Sequence, residues 1–222
     1  MPKEINILMV DDHPSMIEGY KSILSFNEMG YIINVIPAHN AETAYNLMTK
    51  ADSIYEYDLL FFDLSIPPYP EKEIYSGKDL AAISRKYFPY GKVLILTSHA
   101  EAFLLHQIKN NIKPDGLLLK SDFTAEELLR AFEFIMRGEI YNSKTVLEVT
   151  KEVSKTKILL DSYNQQIMQL LAQGMKARSI ASKLGLSLSA IDKRKAQIKQ
   201  YFDVSTGGDE DIIREAKKQG FI

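Results

Sequence analysis

Five apolar runs of strand length recur between Ile5 and Leu119, each followed by a longer amphipathic segment, and this alternation leaves few folds open. The runs are residues 5–10, 31–36, 58–62, 93–97 and 116–119; the helical segments are 14–27, 41–50, 77–88, 101–110 and 124–137. Strand alternating with helix is the pattern of a doubly wound parallel sheet. The strands read as continuous apolar runs, as a sheet covered by helices on both faces requires. Helix punctuation agrees. Asn40 can cap the second helix, Thr124 with Glu127 three residues later forms a capping-box signature, and Gly138 stops the helix between them. The expected fold of residues 1–138 is therefore α/β, with a five-stranded doubly wound parallel sheet.

What such a sheet does is decided where its strands end, because their carboxyl ends converge on one crevice. Here the strand ends carry Asp11 and Asp12, then Asp63, Thr97 and Lys120. A single Asp after a strand is ordinarily a turn or helix-cap residue. Three carboxylates converging with a hydroxyl and an ammonium are a different matter. They repel one another unless a divalent cation sits among them, and an oxygen-rich cluster suits Mg²⁺. One carboxylate can then act as a nucleophile toward phosphorus, giving an aspartyl phosphate, while Thr97 and Lys120 hold the phosphoryl oxygens. The set resembles the receiver domain of a two-component response regulator, a flavodoxin-like fold, over about residues 4–138. The resemblance implies that Asp63 accepts the phosphoryl group, that Asp12, Asp63 and the backbone carbonyl of Ser65 ligate Mg²⁺, and that Asp11 assists through water. Asp63-Leu-Ser-Ile-Pro67 matches the family's phosphorylation-site turn.

Two departures from that pattern stand out. Leu117 occupies the position, three residues before the lysine, where receivers often carry Tyr or Phe. The loop from Ile66 to Ser76 is long and holds three prolines, which predicts a stiff, partly extended segment. His13, His39, His99 and His106 lack the spacing of a metal site. His13 and His99 stand close enough to the acids and to Thr97 to line the pocket, and are read as solvated loop residues.

Composition divides the chain in two. The formal net charge of −2 hides an acidic first part, with 17 Lys+Arg against 22 Asp+Glu in residues 1–157, and a basic second part, with 10 against 7 in residues 158–222. Different charge implies different partners. The absence of Cys excludes a disulfide scaffold and thiolate metal sites. No run of apolar residues is long enough to span a membrane, and the amino terminus leads straight into a strand without a signal segment. A cytoplasmic protein without membrane contact is expected.

Residues 139–157 read as a linker with at most one helix. From Ile158 onward the pattern is all helical. Asp161 or Ser162 caps a first helix ending at Gly174, and a second helix runs near Lys176–Leu184. Gly185-Leu-Ser187 makes a tight turn, Ser187 caps a third helix reaching about Phe202, and a fourth covers about residues 209–219. Two helices joined by a short turn containing Gly form a helix-turn-helix. At 100° per residue, Leu188, Ile191, Ile198 and Phe202 of the third helix face inward. Ser189, Lys193, Ala196, Gln197 and Gln200 face outward, with Asp192 at the edge. A helix that presents small and polar residues outward can enter a major groove. Seven basic residues against one acidic between Lys176 and Lys199 supply the footprint for phosphates. The expected DNA contacts are Lys176, Arg178, Ser189, Asp192, Lys193, Arg194, Ala196, Gln197 and Lys199. The stretch Ala172–Ser187 is similar to the LuxR-type DNA-binding domain, and the two parts together resemble the NarL/FixJ class. Against that pattern, Asn164 and Gln166 stand where two glutamates are usual, Asp192 where a cation is usual, and Arg194 where His is usual.

The expected function is that of a transcriptional regulator switched by phosphorylation of Asp63. It takes its phosphoryl group from a sensor histidine kinase, binds double-stranded DNA, dimerises when phosphorylated and catalyses only its own modification. Two rivals stay open: a Mg²⁺-dependent phosphohydrolase working through Asp63, and a protein-interaction module whose basic domain has lost DNA affinity. Against the first, Ser65 offers only a hydroxyl where such phosphatases use a second Asp. The second is kept alive by Asp192, which repels phosphate.

Overall fold

The computed structural model describes residues 3–49, 56–154 and 161–222. The chain divides into two compact units, one of Met1–Ala100 with Gln107–Leu147, the other of Glu101–His106 with Glu148–Ile222. The linker tail expected at residues 155–157 lies outside the described residues.

Residues 4–136 alternate strand and helix as expected: β1 (Glu4–Val10), α1 (Pro14–Leu24), β2 (Ile32–Ala38), α2 (Ala41–Thr49), β3 (Leu59–Asp63), α3 (Gly77–Tyr87), β4 (Lys92–Thr97), α4 (Ala102–Gln107), β5 (Gly116–Leu119) and α5 (Ala125–Met136), of which Ala102–His106 fall in the second unit. Only part of the fourth helical segment is α-helical. Past Gln107 it widens into a π-helical turn over Ile108–Ile112 and stops at Lys113, in the left-handed region at φ 51°. The sheet order is β2-β1-β3-β4-β5-β6 with parallel pairing throughout.

The sheet has six strands, one more than expected. β6 (Tyr141–Asn142) pairs with β5 in the register Gly116↔Tyr141 and Leu117↔Asn142, inside the stretch expected to be linker. Its length explains why it leaves no apolar run. Its backbone is secured from outside, Tyr141 N–H donating to Asp115 and Ser143 N–H to Leu117. α6 (Lys144–Ser154) follows, tied down where the Thr145 hydroxyl and N–H donate to Asp122 at 2.7 and 3.0 Å.

Alternation sorts the strand residues onto two buried faces. Ile5, Ile7, Met9, Phe61, Leu94, Leu96 and Leu118 meet Ile17, Tyr20 and Leu24 of α1 and Leu128, Phe132 and Ile135 of α5. On the other face Leu8, Val10, Leu60, Phe62, Val93 and Ile95 are equally buried. Each such aromatic or branched side chain withdrawn from water contributes about 1.5–3 kcal/mol. Thr124 caps α5 by accepting from Glu127 N–H at 3.0 Å. The Glu127 carboxylate accepts from the Tyr141 hydroxyl at 2.8 Å, so it serves the sixth strand.

In the second unit, α7 (Ser162–Ala172), α8 (Ala177–Leu184), α9 (Leu188–Tyr201) and α10 (Asp209–Lys218) enclose Ile167, Met168, Leu171, Ile180, Ile191, Ile198, Phe202 and Ile212. Asp161 caps α7 through Tyr163 and Asn164 N–H, and Ser187 caps α9 through Ala190 N–H. Gly185 makes the turn between α8 and α9 at φ 66°, a conformation suited to glycine. Leu188, expected to face inward, is exposed; as the first residue of α9 it lies ahead of the first buried anchor, Ile191. No helix among the described residues is long and apolar enough to cross a membrane.

Candidate functional site

The expected crevice residues of the first unit come together at the carboxyl edge of the sheet. Asp11 follows β1, Asp63 and Thr97 close β3 and β4, and Lys120 follows β5. Asp11, Asp63 and Thr97 are buried. Lys120 Nζ donates to Asp63 Oδ2 at 2.7 Å and to Asp11 Oδ2 at 3.4 Å. Burial opposes the ammonium's charge, but the hydrogen bond and charge of Asp63 and the charge of Asp11 outweigh it. Lys120 is accordingly held above the ordinary lysine range. Thr97 Oγ1 accepts from His99 N–H at 2.9 Å, which leaves its own proton to donate. Asp63 Oδ1 accepts from Ser65 N–H at 3.2 Å.

Backbone geometry holds Asp63 from behind. Gly77, the first residue of α3, donates its N–H to the Leu64 carbonyl at 3.1 Å. A Cβ at Gly77 would collide with the carbonyl oxygen of Asp63, so the close approach of α3 to this strand end requires glycine. The loop between them is folded, where an extended segment was expected. Tyr69 and Ile74 exchange backbone hydrogen bonds, Pro70–Lys72 form a 3₁₀ turn, Glu73 takes the left-handed region at φ 56°, and Ile74 is fully buried. The Tyr69 ring meets Tyr45 of α2 edge-on at 6.0 Å.

Three histidines border this site: His13 and His99, which adjacency to the acids and to Thr97 had placed near the pocket, and His39, which the sequence did not reveal. His13 Nδ1 lies 2.7 Å from Asp12 Oδ1 and 3.3 Å from Asp11 Oδ1, with its ring largely exposed. His39 Nδ1 is 3.1 Å from the Asp11 carbonyl oxygen, and His99 Nε2 is 3.2 Å from Ser65 Oγ. Among the described residues, Asp11, Asp12 and His13 are the side chains whose ligand atoms gather closely enough to share a metal ion. Asp63 lies outside that group and is engaged by Lys120. Two carboxylates beside the Asp63 turn nonetheless give the oxygen-rich donor set that a hard divalent cation prefers, so the residues fit Mg²⁺. One buried group was overlooked altogether. Tyr20 is enclosed beneath the site, and among the described residues its hydroxyl has no hydrogen-bond partner. Burial, with the charges of Asp11 and Asp63 adding, drives its ionisation far above the usual range.

In the second unit, Lys176 and Arg178 are exposed at the start of α8. Along α9, Ser189, Asp192, Lys193 and Ala196 are exposed, while Gln197 and Lys199 are partly covered. Asp192, Ala196, Lys199 and Gln200 share an open groove with Lys195 and Ser205. Arg194, expected among the DNA contacts, turns inward to Asp161 at 2.7 Å. Lys195 likewise turns to Asp209 at 2.6 Å. Consecutive residues of a helix diverge by 100°, and of these three cations Lys193 is the exposed one.

Comparison with known proteins agrees with both halves of the geometry. The family model described as "Response regulator receiver domain" matches residues 7–133. The oxygen regulatory protein NreC of Staphylococcus haemolyticus is 29% identical over 215 residues, covering 91% of this chain and 93% of that protein. Among solved structures, RcsB of Salmonella enterica serovar Typhimurium, bound to a promoter in the presence of a phosphomimetic, superposes with a TM-score of 0.66. It is 20% identical and covers 95% of this chain and 96% of its own. A LuxR-family two-component response regulator from Aurantimonas is 25% identical with a TM-score of 0.55, covering 68% of this chain and 99% of its own.

Proposed function

The chain belongs to the response regulators that carry a receiver domain, and from that premise we propose that it is a transcriptional regulator whose DNA binding is switched by phosphorylation of Asp63. The observation that carries the reading is the Lys120 ammonium bridging Asp63 and Asp11 at the edge where the strands end. That arrangement leaves one carboxylate as acceptor and one cation ready to follow the charge it acquires.

A bound Mg²⁺ would neutralise the converging carboxylates and orient the phosphoryl oxygens. Asp12, Asp63 and the carbonyl of Ser65 would hold it, with Asp11 assisting. The Asp63 carboxylate forms a bond to phosphorus as the donor's P–N bond breaks, and the donor imidazole leaves with the electron pair and takes up a proton. Lys120 then pairs with the phosphoryl group. Thr97, whose Oγ1 already accepts from His99 N–H, donates its proton to a phosphoryl oxygen. The phosphoryl donor is a sensor histidine kinase, and the only chemistry catalysed is the protein's own modification and its slow reversal.

The receiver, expected over residues 1–138, takes in β6 as the last strand of its sheet, and residues 158–222 are read as the DNA-binding domain. In the latter, Lys193 is the cation of α9 placed to reach base edges, and Lys176, Arg178 and Lys199 are placed for phosphates. Paired domains reading two half-sites supply specificity that one domain lacks, so the phosphorylated form is a homodimer on duplex DNA. The reading is tested by incubation with a small phosphodonor and Mg²⁺. One acid-stable, base-labile phosphate is expected on the wild-type chain and none on Asp63→Asn. Labelling of that variant to the wild-type level would refute the assignment.

A further inference from the structure

We infer that Arg194 is a positioning residue, which pins the recognition helix α9 to the start of α7 instead of contacting DNA. The inference rests on the DNA-binding reading above and concerns how that surface is held. Arg194 Nη1 donates to Asp161 Oδ1 at 2.7 Å and to Asn164 Oδ1 at 2.9 Å, and the guanidinium carbon lies 5.0 Å from the centroid of the Tyr163 ring. A carboxylate, a buried amide and an aromatic ring therefore meet one side chain, which is itself only 26% exposed. An isolated surface ion pair stabilises little. A guanidinium is planar, so it can lie flat against a ring while its N–H groups donate in its own plane, a geometry an ammonium lacks.

The place of this tie gives it a consequence. Ile191 and Ile198 bury α9 against the bundle, but apolar contacts are non-directional and set the helix's distance better than its roll. Arg194 and Lys195 add directional bonds, to Asp161 at the start of α7 and to Asp209 at the start of α10. Rolling α9 far enough to carry Lys193 out of a groove would break both. Asp161 is also the N-cap of α7, its carboxylate accepting from Tyr163 and Asn164 N–H. The same carboxylate thus caps α7 and fixes the recognition helix, so displacement of the backbone at Asp161 is felt directly at α9.

The test uses the full chain, with Arg194→Gln, Asp161→Asn and the double variant, and with Lys193→Ala and Lys176→Ala as references. Asn caps a helix as well as Asp does, so Asp161→Asn removes the charge and keeps the cap. Thermal unfolding without DNA reports the tie. Binding across a salt series, to a duplex selected by the wild-type chain from a random library and to random duplex, reports its role. The pin predicts that each single variant melts lower and that the double variant melts no lower than the worse single one. It also predicts that each loses about tenfold in preference for the selected duplex, with the salt slope unchanged. Additive melting effects overturn the proposal. So does the pattern of a phosphate contact, in which Arg194→Gln lowers the salt slope by about one unit while Asp161→Asn tightens binding to every duplex. A wild-type chain that binds no duplex refutes the DNA reading and this role together, while the melting cycle still decides whether the tie exists.

Discussion

Lys120 and Gly77 each support Asp63, one through charge and one through backbone, and substitution separates the two. Lys120→Met leaves the buried Asp11 and Asp63 carboxylates without their shared cation. Removing one partner of a buried charge pair typically costs about 3–5 kcal/mol; because Lys120 is 23% exposed, about 3 kcal/mol is expected in the absence of divalent cations. Denaturant unfolding measures this, and added Mg²⁺ should restore more stability to the variant than to the wild type. An unchanged unfolding midpoint would show that the bridge does not support the fold. Gly77→Ala forces a methyl group against the Asp63 carbonyl. A strained insertion of this kind costs about 1–3 kcal/mol, and phosphodonor labelling should slow with it, because the acceptor carboxylate is carried on the displaced backbone. Labelling at the wild-type rate would show that α3 can retreat without moving Asp63.

At the scale of elements, β6 and α6 depend on a carboxylate, and that dependence has a pH signature. Burial opposes ionisation of Asp122, but hydrogen bonds from Ser143 and Thr145 outweigh it and hold its carboxyl below the usual range. A lowered folded-state pKa contributes stability that is full above the unfolded value of about 3.9 and is lost as the pH falls through the folded one. The stability gap between wild type and Asp122→Asn should thus be constant near neutral pH and shrink below about pH 4; a gap independent of pH would mean that the charge of Asp122 is not what anchors α6. β6 also marks where sequence patterning stops being informative. β1, β3, β4 and β5 are apolar runs because they are buried in the sheet, and the edge strand β2 keeps an apolar run although it is only partly covered. Tyr141–Asn142 is a strand only because Asp115 and Leu117 offer carbonyls to it, a tertiary circumstance with no local signal. The loop after Asp63 misled in the same way. Its prolines suggest extension, whereas burial of Ile74 and the left-handed Glu73 fold it back. On α9 the 100° repeat placed Lys193, Ile191 and Ile198 as found. It could not show that Arg194 would find Asp161 and Asn164, residues some thirty positions away. Of the histidines around the acids, His13 and His99 were legible beside Asp12 and Thr97, whereas His39 was hidden because only the pairing of β2 with β1 brings it to Asp11.

For the whole molecule, the division of charge matches a division of labour. On the proposed function, the acidic first part would carry the phosphoryl chemistry and the basic second part would offer Lys176, Arg178, Lys193 and Lys199 to a polyanion. Lys176→Ala should weaken binding to all duplexes alike and lower the salt slope by about one unit, whereas Lys193→Ala should lose about 1–3 kcal/mol for a preferred site only. Moving such a molecule from mostly inactive to mostly active requires a preference worth about 5 kcal/mol, and that preference has to originate at Asp63. The most direct test is duplex affinity of the full chain, measured before and after treatment with a small phosphodonor and Mg²⁺, beside Asp63→Asn under the same conditions. Phosphorylation should tighten wild-type binding to the selected duplex by well over tenfold, with Asp63→Asn unresponsive. Equal affinity of the phosphorylated and unphosphorylated wild-type chain, or the same response in Asp63→Asn, would contradict the account.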